Sequence, residues 1–277
     1  MLRKLTFLIL TATALTLSAQ GYGGPQPVSM RTSKVNYEKN HITVDISLQY
    51  PYMGPMAAIA TLRDSILSDL AELAHPYAFE DIEMQAKPSS FDGAAEAVKD
   101  AFVKYAEADQ REICTDENGR YTPPSEEDAW MLNREFTADL TKEFSNLRFV
   151  TMRLETSIYL GGAHPGNTLF FYTADSQTGK LLTAADIFKH ESLPALQRLI
   201  RQKIQTEYAD GEDIFFEEGN DLPIPATHGV ALGEKGVIIQ YQSYEVAPYV
   251  AGQPACLLPY SEIKNSLTPL ALKLIGN

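Results

Sequence analysis

LRFVTMRLETSIYLGGAHPGNTLFFYT, residues 147–173, is the stretch that decides the fold. From Val150 to Ile158 every second residue is apolar or threonine, the period-2 pattern of a strand that buries one face. The paired glycines and the proline within residues 160–167 predict a turn. Residues 168–173 are aromatic and β-branched and predict a returning strand. The stretch therefore predicts two adjacent strands that run antiparallel.

Upstream of this pair, the sequence predicts two strands followed by two helices. Residues 34–37 and 42–50 are the strands, and in the second of them apolar and polar residues alternate. Apolar residues recur three and four positions apart over residues 59–73, which places them on one helical face. A second helix is predicted over residues 94–108, with Asp92 as its N-cap.

Strands and helices also occur in blocks in the rest of the chain. Further strands are predicted at 130–140, 227–232, 236–241 and 255–259, and further helices at 183–188, 193–208 and 260–266. Because strands cluster and helices cluster, the pattern favours an α+β fold, with a mainly antiparallel sheet packed with a few helices. We predict two subdomains, an N-terminal one at residues 34–125 and a C-terminal one at residues 126–277.

The N-terminus has the layout of a secretory signal peptide. Arg3 and Lys4 precede an apolar run, and small residues follow it. We predict cleavage after Ala19, so residues 1–19 are the signal peptide and residues 20–33 a flexible linker. A retained membrane anchor is the alternative, but the apolar run is shorter than the roughly 20 residues that span a bilayer. The expected location is therefore the periplasm or the extracellular space, with no membrane anchor after cleavage.

The chain is strongly acidic, with a formal net charge of -13 at pH 7. Such a charge repels phosphate backbones, so nucleic acid is not expected as a partner. A cationic protein is electrostatically compatible. Of the two cysteines, Cys114 and Cys256, either a disulfide or two separate thiols fits an exported chain.

The sequence lacks the common signatures of metal and cofactor sites. Its five histidines are scattered, and none stands at metal-ligand spacing from another histidine or a cysteine. The acidic loop at residues 210–221 offers oxygen ligands for calcium but lacks the EF-hand spacing. Phosphate-cradling loops, dinucleotide fingerprints and Gly-x-Ser-x-Gly elbows are missing too. No metal or cofactor is therefore predicted.

Two segments stand out as candidate binding sites. The first, YLGGAHP at residues 159–165, reads either as a ligand-contacting turn or as a tight connection whose histidine bonds to nearby backbone. The second, YQSYEVAPY at residues 241–249, reads either as a rigid interface or as rings that cover a sheet edge. The predicted ligand-binding residues are Tyr159, Gly161, Gly162, His164, Tyr244, Glu245, Pro248 and Tyr249.

Three segments of the chain, taken together and in their order along it, resemble the sequence pattern of a known family. They are residues 159–165, the turn at 178–183 with Asp186–Phe188, and residues 244–249 with Gly252. They resemble the extracytoplasmic domain of RsiV-type anti-sigma factors, which also stands beside the deacetylase domain of PdaC-type peptidoglycan enzymes. The region from Val44 to Leu70 is similar to the small N-terminal half of that unit. The two predicted subdomains would accordingly be PdaC-like and RsiV-like.

The resemblance implies binding rather than catalysis. In RsiV-type proteins this domain is a sensor that binds lysozyme, a cationic protein, and in PdaC-type proteins catalysis belongs to a separate domain. This sequence departs from both architectures, since it shows neither a sigma-binding segment with a membrane helix nor a deacetylase domain. What the resemblance transfers is an envelope domain that binds a protein or a cell-wall glycan.

Three functional hypotheses follow. The first is a non-enzymatic envelope domain that recognises a lysozyme-like protein or peptidoglycan. The second is a peptidoglycan hydrolase or deacetylase that uses His164 with a carboxylate brought near by folding. The third is a structural component of an envelope assembly. Binding leads, because the motifs lack the paired groups that acid–base or nucleophilic catalysis requires.

Overall fold

The computed structural model describes residues 27–73, 90–208, 214–216, 221–225 and 228–276. The predicted signal peptide, the first part of the predicted linker and most of the acidic loop lie outside these residues. No helix among the described residues is long and apolar enough to cross a membrane.

The chain enters the fold through a long hairpin. β1 (Ser29–Lys39) pairs antiparallel with β2 (Ile42–Met53). Asn40 and His41 both have positive φ, 52° and 63°, as the two-residue hairpin turns that match strand twist require. Because β1 begins at Ser29, the last residues of the predicted linker belong to a strand.

Two helices cross from β2 back to the start of the next strand. α1 (Met56–Leu73) and α2 (Phe91–Ile113) pack on one face of the sheet. The predicted cap of α2 is wrong: Ser90 is the N-cap, and its Oγ accepts a hydrogen bond from the Gly93 amide at 3.1 Å. Asp92 lies inside the first turn instead.

Three further strands complete a sheet in the order β1-β2-β3-β4-β5. β3 (Arg134–Ser145) runs parallel to β2, whereas β4 (Phe149–Tyr159) and β5 (Gly166–Asp175) are antiparallel to their neighbours. The strand predicted from residue 130 begins only at Arg134, because residues 129–132 form a 3-10 turn.

The remaining elements build a second, smaller unit. Its helices and strands are α3 (Ala184–Ile187), α4 (Leu193–Tyr208), β6 (Val230–Leu232), β7 (Gly236–Gln240), β8 (Ala255–Pro259), α5 (Tyr260–Ile263) and α6 (Pro269–Ile275). The three strands form an antiparallel sheet in chain order. The sequence missed α6, whose cap is the Thr268 hydroxyl.

The predicted α+β class is therefore confirmed, with a mostly antiparallel five-stranded sheet and an antiparallel three-stranded one. The buried side chains divide into two clusters. One lies between the five-stranded sheet and α1 with α2, and the other lies around the three-stranded sheet. The boundary predicted at residue 125 remains a prediction; the five-stranded sheet has strands from both sides of it.

The two sheets meet where β5 lies beside β6. The Thr151 hydroxyl donates to the Leu232 carbonyl at 2.7 Å, and the Leu232 amide donates to Thr173 Oγ1 at 3.2 Å. All three residues are buried, so these hydrogen bonds replace lost water contacts. The contact brings the segment that follows β7 up against the start of β5.

Cys114 and Cys256 are both buried free thiols. Cys114 caps the end of α2, and Cys256 lies within β8. Of the two alternatives open at the level of sequence, the structure has the separate thiols rather than the disulfide.

Candidate functional site

Both segments singled out in the sequence meet at one end of β5. Residues 160–165 connect β4 to β5, and residues 241–254 connect β7 to β8. Gln242 ties the second connection to β5, because its side-chain amide donates to the Leu169 carbonyl at 2.7 Å and accepts from the Leu169 amide at 3.0 Å. This side chain pairs with the edge of β5 much as a neighbouring strand would.

Three rings from the two segments form an aromatic patch, which we define as His164, Tyr244 and Tyr249. The rings of His164 and Tyr249 stack with centroids 3.6 Å apart and an interplanar angle of 18°. Tyr244 lies at their edge, with its ring centroid 5.7 Å from that of Tyr249 and its hydroxyl 3.5 Å from His164 Nε2. The patch is therefore a single packed group.

Hydrogen bonds hold the Tyr249 ring of the patch in place. Its hydroxyl donates to the Pro165 carbonyl at 3.0 Å and accepts from Asn167 Nδ2 at 3.4 Å. Pro248 begins the 3-10 turn that carries Tyr249, and its carbonyl accepts from the Ala251 amide at 2.8 Å. The predicted residues Pro248 and Tyr249 thus set the geometry of the connection.

Tyr244 combines exposure with an unusual backbone. Its side chain is 56% exposed, and its φ is 66°, a region that a bulky non-glycine residue seldom adopts. Glu245 stabilises this turn, since its carboxylate accepts a hydrogen bond from the backbone amide of Gln242 at 2.7 Å. Strained backbone of this kind concentrates at sites of function, where the surrounding structure maintains it.

The paired glycines lie above a buried ion pair that sequence reasoning missed. Gly161 and Gly162 have φ of 84° and 102°. A Cβ on Gly161 would stand 3.2 Å from Arg134 Nη1, so this turn rests directly on the guanidinium. Arg134 is 1% exposed and pairs with Asp109 through Nε at 2.6 Å and Nη2 at 2.5 Å. The available signal was the alternation of β3, which assigns Arg134 to the same buried face as Phe136.

The hydrogen-bond partners of His164 are a backbone carbonyl and a tyrosine hydroxyl. Within the described part of the chain these hydrogen bonds go to the Pro165 carbonyl, 3.0 Å from Nδ1, and to the Tyr244 hydroxyl. Neither partner is a carboxylate that would orient the imidazole as a general base. Tyr159, also predicted as a ligand contact, donates its hydroxyl proton to the Gly162 carbonyl at 3.1 Å and so stabilises the turn.

A different histidine has a carboxylate partner. His228 Nε2 lies 3.0 Å from Asp69 Oδ2, and the Tyr172 hydroxyl donates to the same oxygen at 2.8 Å. Burial and the nearby Asp69 charge raise the pKa of Tyr172 well above its ordinary value. The other imidazole nitrogen lies 3.3 Å from the Phe171 carbonyl, so both nitrogens are engaged. We interpret this group as a brace between α1 and the second unit.

Metal-binding groups and the two grooves described below do not add to the candidate site within the described residues. These residues contain no group of three or more His, Cys, Asp or Glu side chains that could hold a metal ion. A groove of about 530 Å³ follows the end of α2, and one of about 420 Å³ lies beside the β1–β2 turn. Neither groove is lined by a residue of the aromatic patch.

Comparisons with known proteins give a family match over part of the chain and two proteins of similar fold. Residues 185–261 match the family described as "Protein of unknown function (DUF3298)". The match includes Asp186–Phe188 and the segment of Tyr244 and Tyr249, whereas residues 159–165 precede it. RsiV-type and PdaC-type kinship remains a prediction.

Solved structures of DUF3298 family members are similar over nearly their whole length. The structure of a member from Bacteroides fragilis has 15% sequence identity to this chain and a TM-score of 0.71. The match covers 91% of this chain and 99% of the Bacteroides fragilis chain. The structure of a member from Pseudomonas aeruginosa has 17% sequence identity and a TM-score of 0.58. That match covers 91% of this chain and 98% of the Pseudomonas aeruginosa chain. At these identities the likeness establishes the fold alone. A search of curated proteins found no match.

Proposed function

We propose that this protein is an exported, non-enzymatic binding domain of the cell envelope whose aromatic patch recognises a basic, lysozyme-like protein. One observation carries the proposal. Two segments about 80 residues apart in sequence converge on one packed group of rings, and its outermost ring, Tyr244, has a backbone conformation that bulky residues avoid.

The chemistry of the patch suits a protein partner. Tyrosine gives a large contact area at small cost in side-chain entropy, and its hydroxyl supplies a polar contact at the same place. The hydrogen bonds of Tyr249 to Pro165 and Asn167 fix the platform before any partner arrives. Such preorganisation lowers the free-energy cost of association.

The net negative charge of the chain favours a basic protein as the partner. The net charge of -13 attracts cations at long range and repels anionic polymers. Opposite charge raises the association rate of two proteins and is weakened by salt. A basic protein fits this field better than a polyanionic wall polymer does.

Isothermal titration calorimetry of the exported protein with lysozyme tests the proposal. We expect binding that weakens when NaCl is raised from about 50 to about 300 mM, since the Debye length shrinks with salt. We also expect Tyr244→Ala to weaken binding by about tenfold or more, as loss of an interface anchor does. Tyr52→Ala is the matched control, because Tyr52 is a partly exposed tyrosine at the opposite end of the five-stranded sheet.

Three results would contradict the proposal. One is no heat of binding at either salt concentration. Another is binding that Tyr244→Ala and Tyr52→Ala leave equally unchanged. The third is release of products from peptidoglycan that His164→Ala abolishes, which would replace the binding function with catalysis. Binding of purified muropeptides without lysozyme binding would assign a glycan as the ligand instead.

A further inference from the structure

We infer that the recognition face extends from the aromatic patch across Gly161 and Gly162 to Trp130, whose indole is a second anchor for the same basic protein. The inference rests on the proposed function and names a part of the face that the sequence motifs do not include. Trp130 is the only tryptophan of the chain and is 60% exposed. Tryptophan is enriched at the core of protein interfaces, and with tyrosine and arginine it is enriched among binding hot spots.

Arg134 connects the two halves of this face. Its Nη1 donates to the carbonyls of Met131 at 2.9 Å and Asn133 at 2.7 Å, which fixes the turn that carries Trp130. The same Nη1 lies under Gly161, in the turn that carries His164. One buried cation, paired with Asp109, therefore holds the Trp130 turn by hydrogen bonds and lies against the glycine turn. A partner seated on one turn is next to the other.

Two further exposed apolar side chains lie at the same end of α2 as Trp130. Its neighbour Met131 is exposed, as is Tyr121 at the end of the loop that follows α2. Two contacts bring these residues to the same end of α2: Gln110 Nε2 donates to the Leu132 carbonyl at 2.8 Å, and the Thr122 amide donates to the Cys114 carbonyl at 2.7 Å. Methionine and tyrosine are both enriched in protein interfaces.

Acidic residues flank Trp130 along the chain, and we call them the acidic rim. Residues 107–128 contain eight carboxylates and two arginines, so a large share of the negative charge of the chain lies here. The carboxylates are Glu107, Asp109, Glu112, Asp116, Glu117, Glu126, Glu127 and Asp128. An apolar centre with a charged rim is the usual anatomy of a protein interface, and this rim is complementary to a basic partner.

The size of a stable interface supports the extension. A standard protein–protein interface covers roughly 800 Å² on each partner. Three rings that already stack on one another offer less than that, because an aromatic side chain buries at most about 250 Å² when it is not shielded. Adding the glycine turn and the Trp130 turn gives a continuous face that a folded protein, rather than one sugar ring, would cover.

The single tryptophan provides the test. We would express the exported protein with 5-fluorotryptophan, which gives one 19F resonance, and titrate it with unlabelled lysozyme. We expect the resonance to shift or broaden in step with the calorimetric binding curve, and Trp130→Ala to weaken binding by about tenfold. Leu147→Ala is the control, since Leu147 is similarly exposed in the turn at the opposite end of β3 and β4.

The outcomes separate the two proposals. Lysozyme binding with an unchanged resonance and an unaffected Trp130→Ala variant would overturn this inference and leave the aromatic patch as the binding site. An absence of lysozyme binding would overturn both. A shifted resonance with weaker binding by Trp130→Ala but not by Leu147→Ala would support the extended face.

Discussion

Gly161 shows how one missing side chain shapes the recognition face. It combines a positive φ with contact to Arg134, whereas Gly162 has a positive φ and nothing within 4 Å of an added Cβ. Alanine substitution at Gly162 therefore introduces backbone strain alone, whereas at Gly161 it introduces the same strain and a close contact with Arg134. The strain alone costs about 1 kcal/mol when alanine replaces glycine at positive φ.

We predict that Gly161→Ala lowers the free energy of unfolding by about 2 kcal/mol and Gly162→Ala by about 1 kcal/mol. The difference arises because the new methyl group of the first variant must displace the Arg134 guanidinium, which is bound to Asp109 and to two carbonyls. Urea denaturation at neutral pH measures both values. Equal losses in the two variants would show that Arg134 does not restrict this turn.

Asp186 controls the start of α3 through its charge. Burial alone would raise the pKa of its carboxyl, but hydrogen bonds from Lys180 and from the amide and hydroxyl of Thr183 outweigh burial and hold the pKa below its ordinary value. A carboxyl with a lowered pKa stabilises the fold at pH values above its unfolded pKa, about 3.9. That stabilisation is lost as the pH falls through the folded pKa.

We therefore predict that Asp186→Asn lowers the free energy of unfolding by about 1 kcal/mol at pH 7, as loss of a capping interaction does. The difference from the unsubstituted protein should begin to shrink as the pH falls below about 4, where the unfolded state takes up a proton, and should vanish once the pH lies below the lowered pKa of the folded state. Chemical denaturation of both proteins at a series of pH values measures this difference in the free energy of unfolding. Glu191→Gln, at an exposed carboxyl, serves as the control, and a difference that persists unchanged at acidic pH would contradict the assignment.

At the scale of single elements, α2 shows where local pattern stops being decisive. Ser90 and Asp92 are both residues that favour N-caps, so composition alone does not choose between them. The structure chooses Ser90, whose extended backbone lets its hydroxyl reach the Gly93 amide. Asp92 instead lies in the first turn, where its negative charge interacts favourably with the helix dipole.

We predict that Ser90→Ala lowers the free energy of unfolding by about 1 kcal/mol. Asp92→Ala should cost less, about 0.5 kcal/mol, and its effect should fall with added salt because it is electrostatic. Thermal unfolding followed by circular dichroism at low and high salt distinguishes the two. A larger loss of unfolding free energy for Asp92→Ala than for Ser90→Ala would indicate that Asp92 is the N-cap instead.

At the scale of the whole molecule, two buried clusters are joined by polar contacts rather than by a common apolar core. Thr151 and Thr173 bond to Leu232, and Asp69 bonds to both Tyr172 and His228. Such fully partnered polar groups specify one relative arrangement, because every alternative leaves a buried group unpaired. The arrangement matters for the proposed function, since it brings Tyr249 from the second unit onto His164 of the first sheet.

The two thiols give a prediction at the same scale. Burial, with a smaller contribution from the nearby Glu207 charge, raises the pKa of Cys256 to about 12. At pH 8 roughly one molecule in 10⁴ then has the thiolate that an alkylating agent attacks. We expect iodoacetamide to leave Cys256 unmodified for hours in the native protein, and to alkylate both cysteines once guanidinium unfolds it.

The mass of the alkylated protein, measured without any reductant, checks this prediction. Two added groups in the unfolded sample confirm separate thiols. If alkylation of the unfolded protein required prior reduction, Cys114 and Cys256 would form a disulfide, contrary to the structure.

The sequence by itself determined most elements of this fold, though not α6, and their class. The alternation from Val150 to Ile158, the helical stripe of Leu196, Ile200 and Ile204, and the turns between them are confirmed, because local periodicity reports which face of an element is buried. It also singled out both segments of the aromatic patch, because paired glycines and clustered tyrosines are unusual enough to be seen in the sequence alone.

Only the tertiary structure decided that these segments meet, that Arg134 lies beneath one of them, and that Asp69 pairs with His228. The partners are far apart along the chain: Asn167 and Tyr249 are separated by 82 residues, and Arg134 and Asp109 by 25. No periodicity relates residues on different elements. Their contacts arise from strand order and from the packing of the two units, both of which depend on the three-dimensional arrangement of the whole chain.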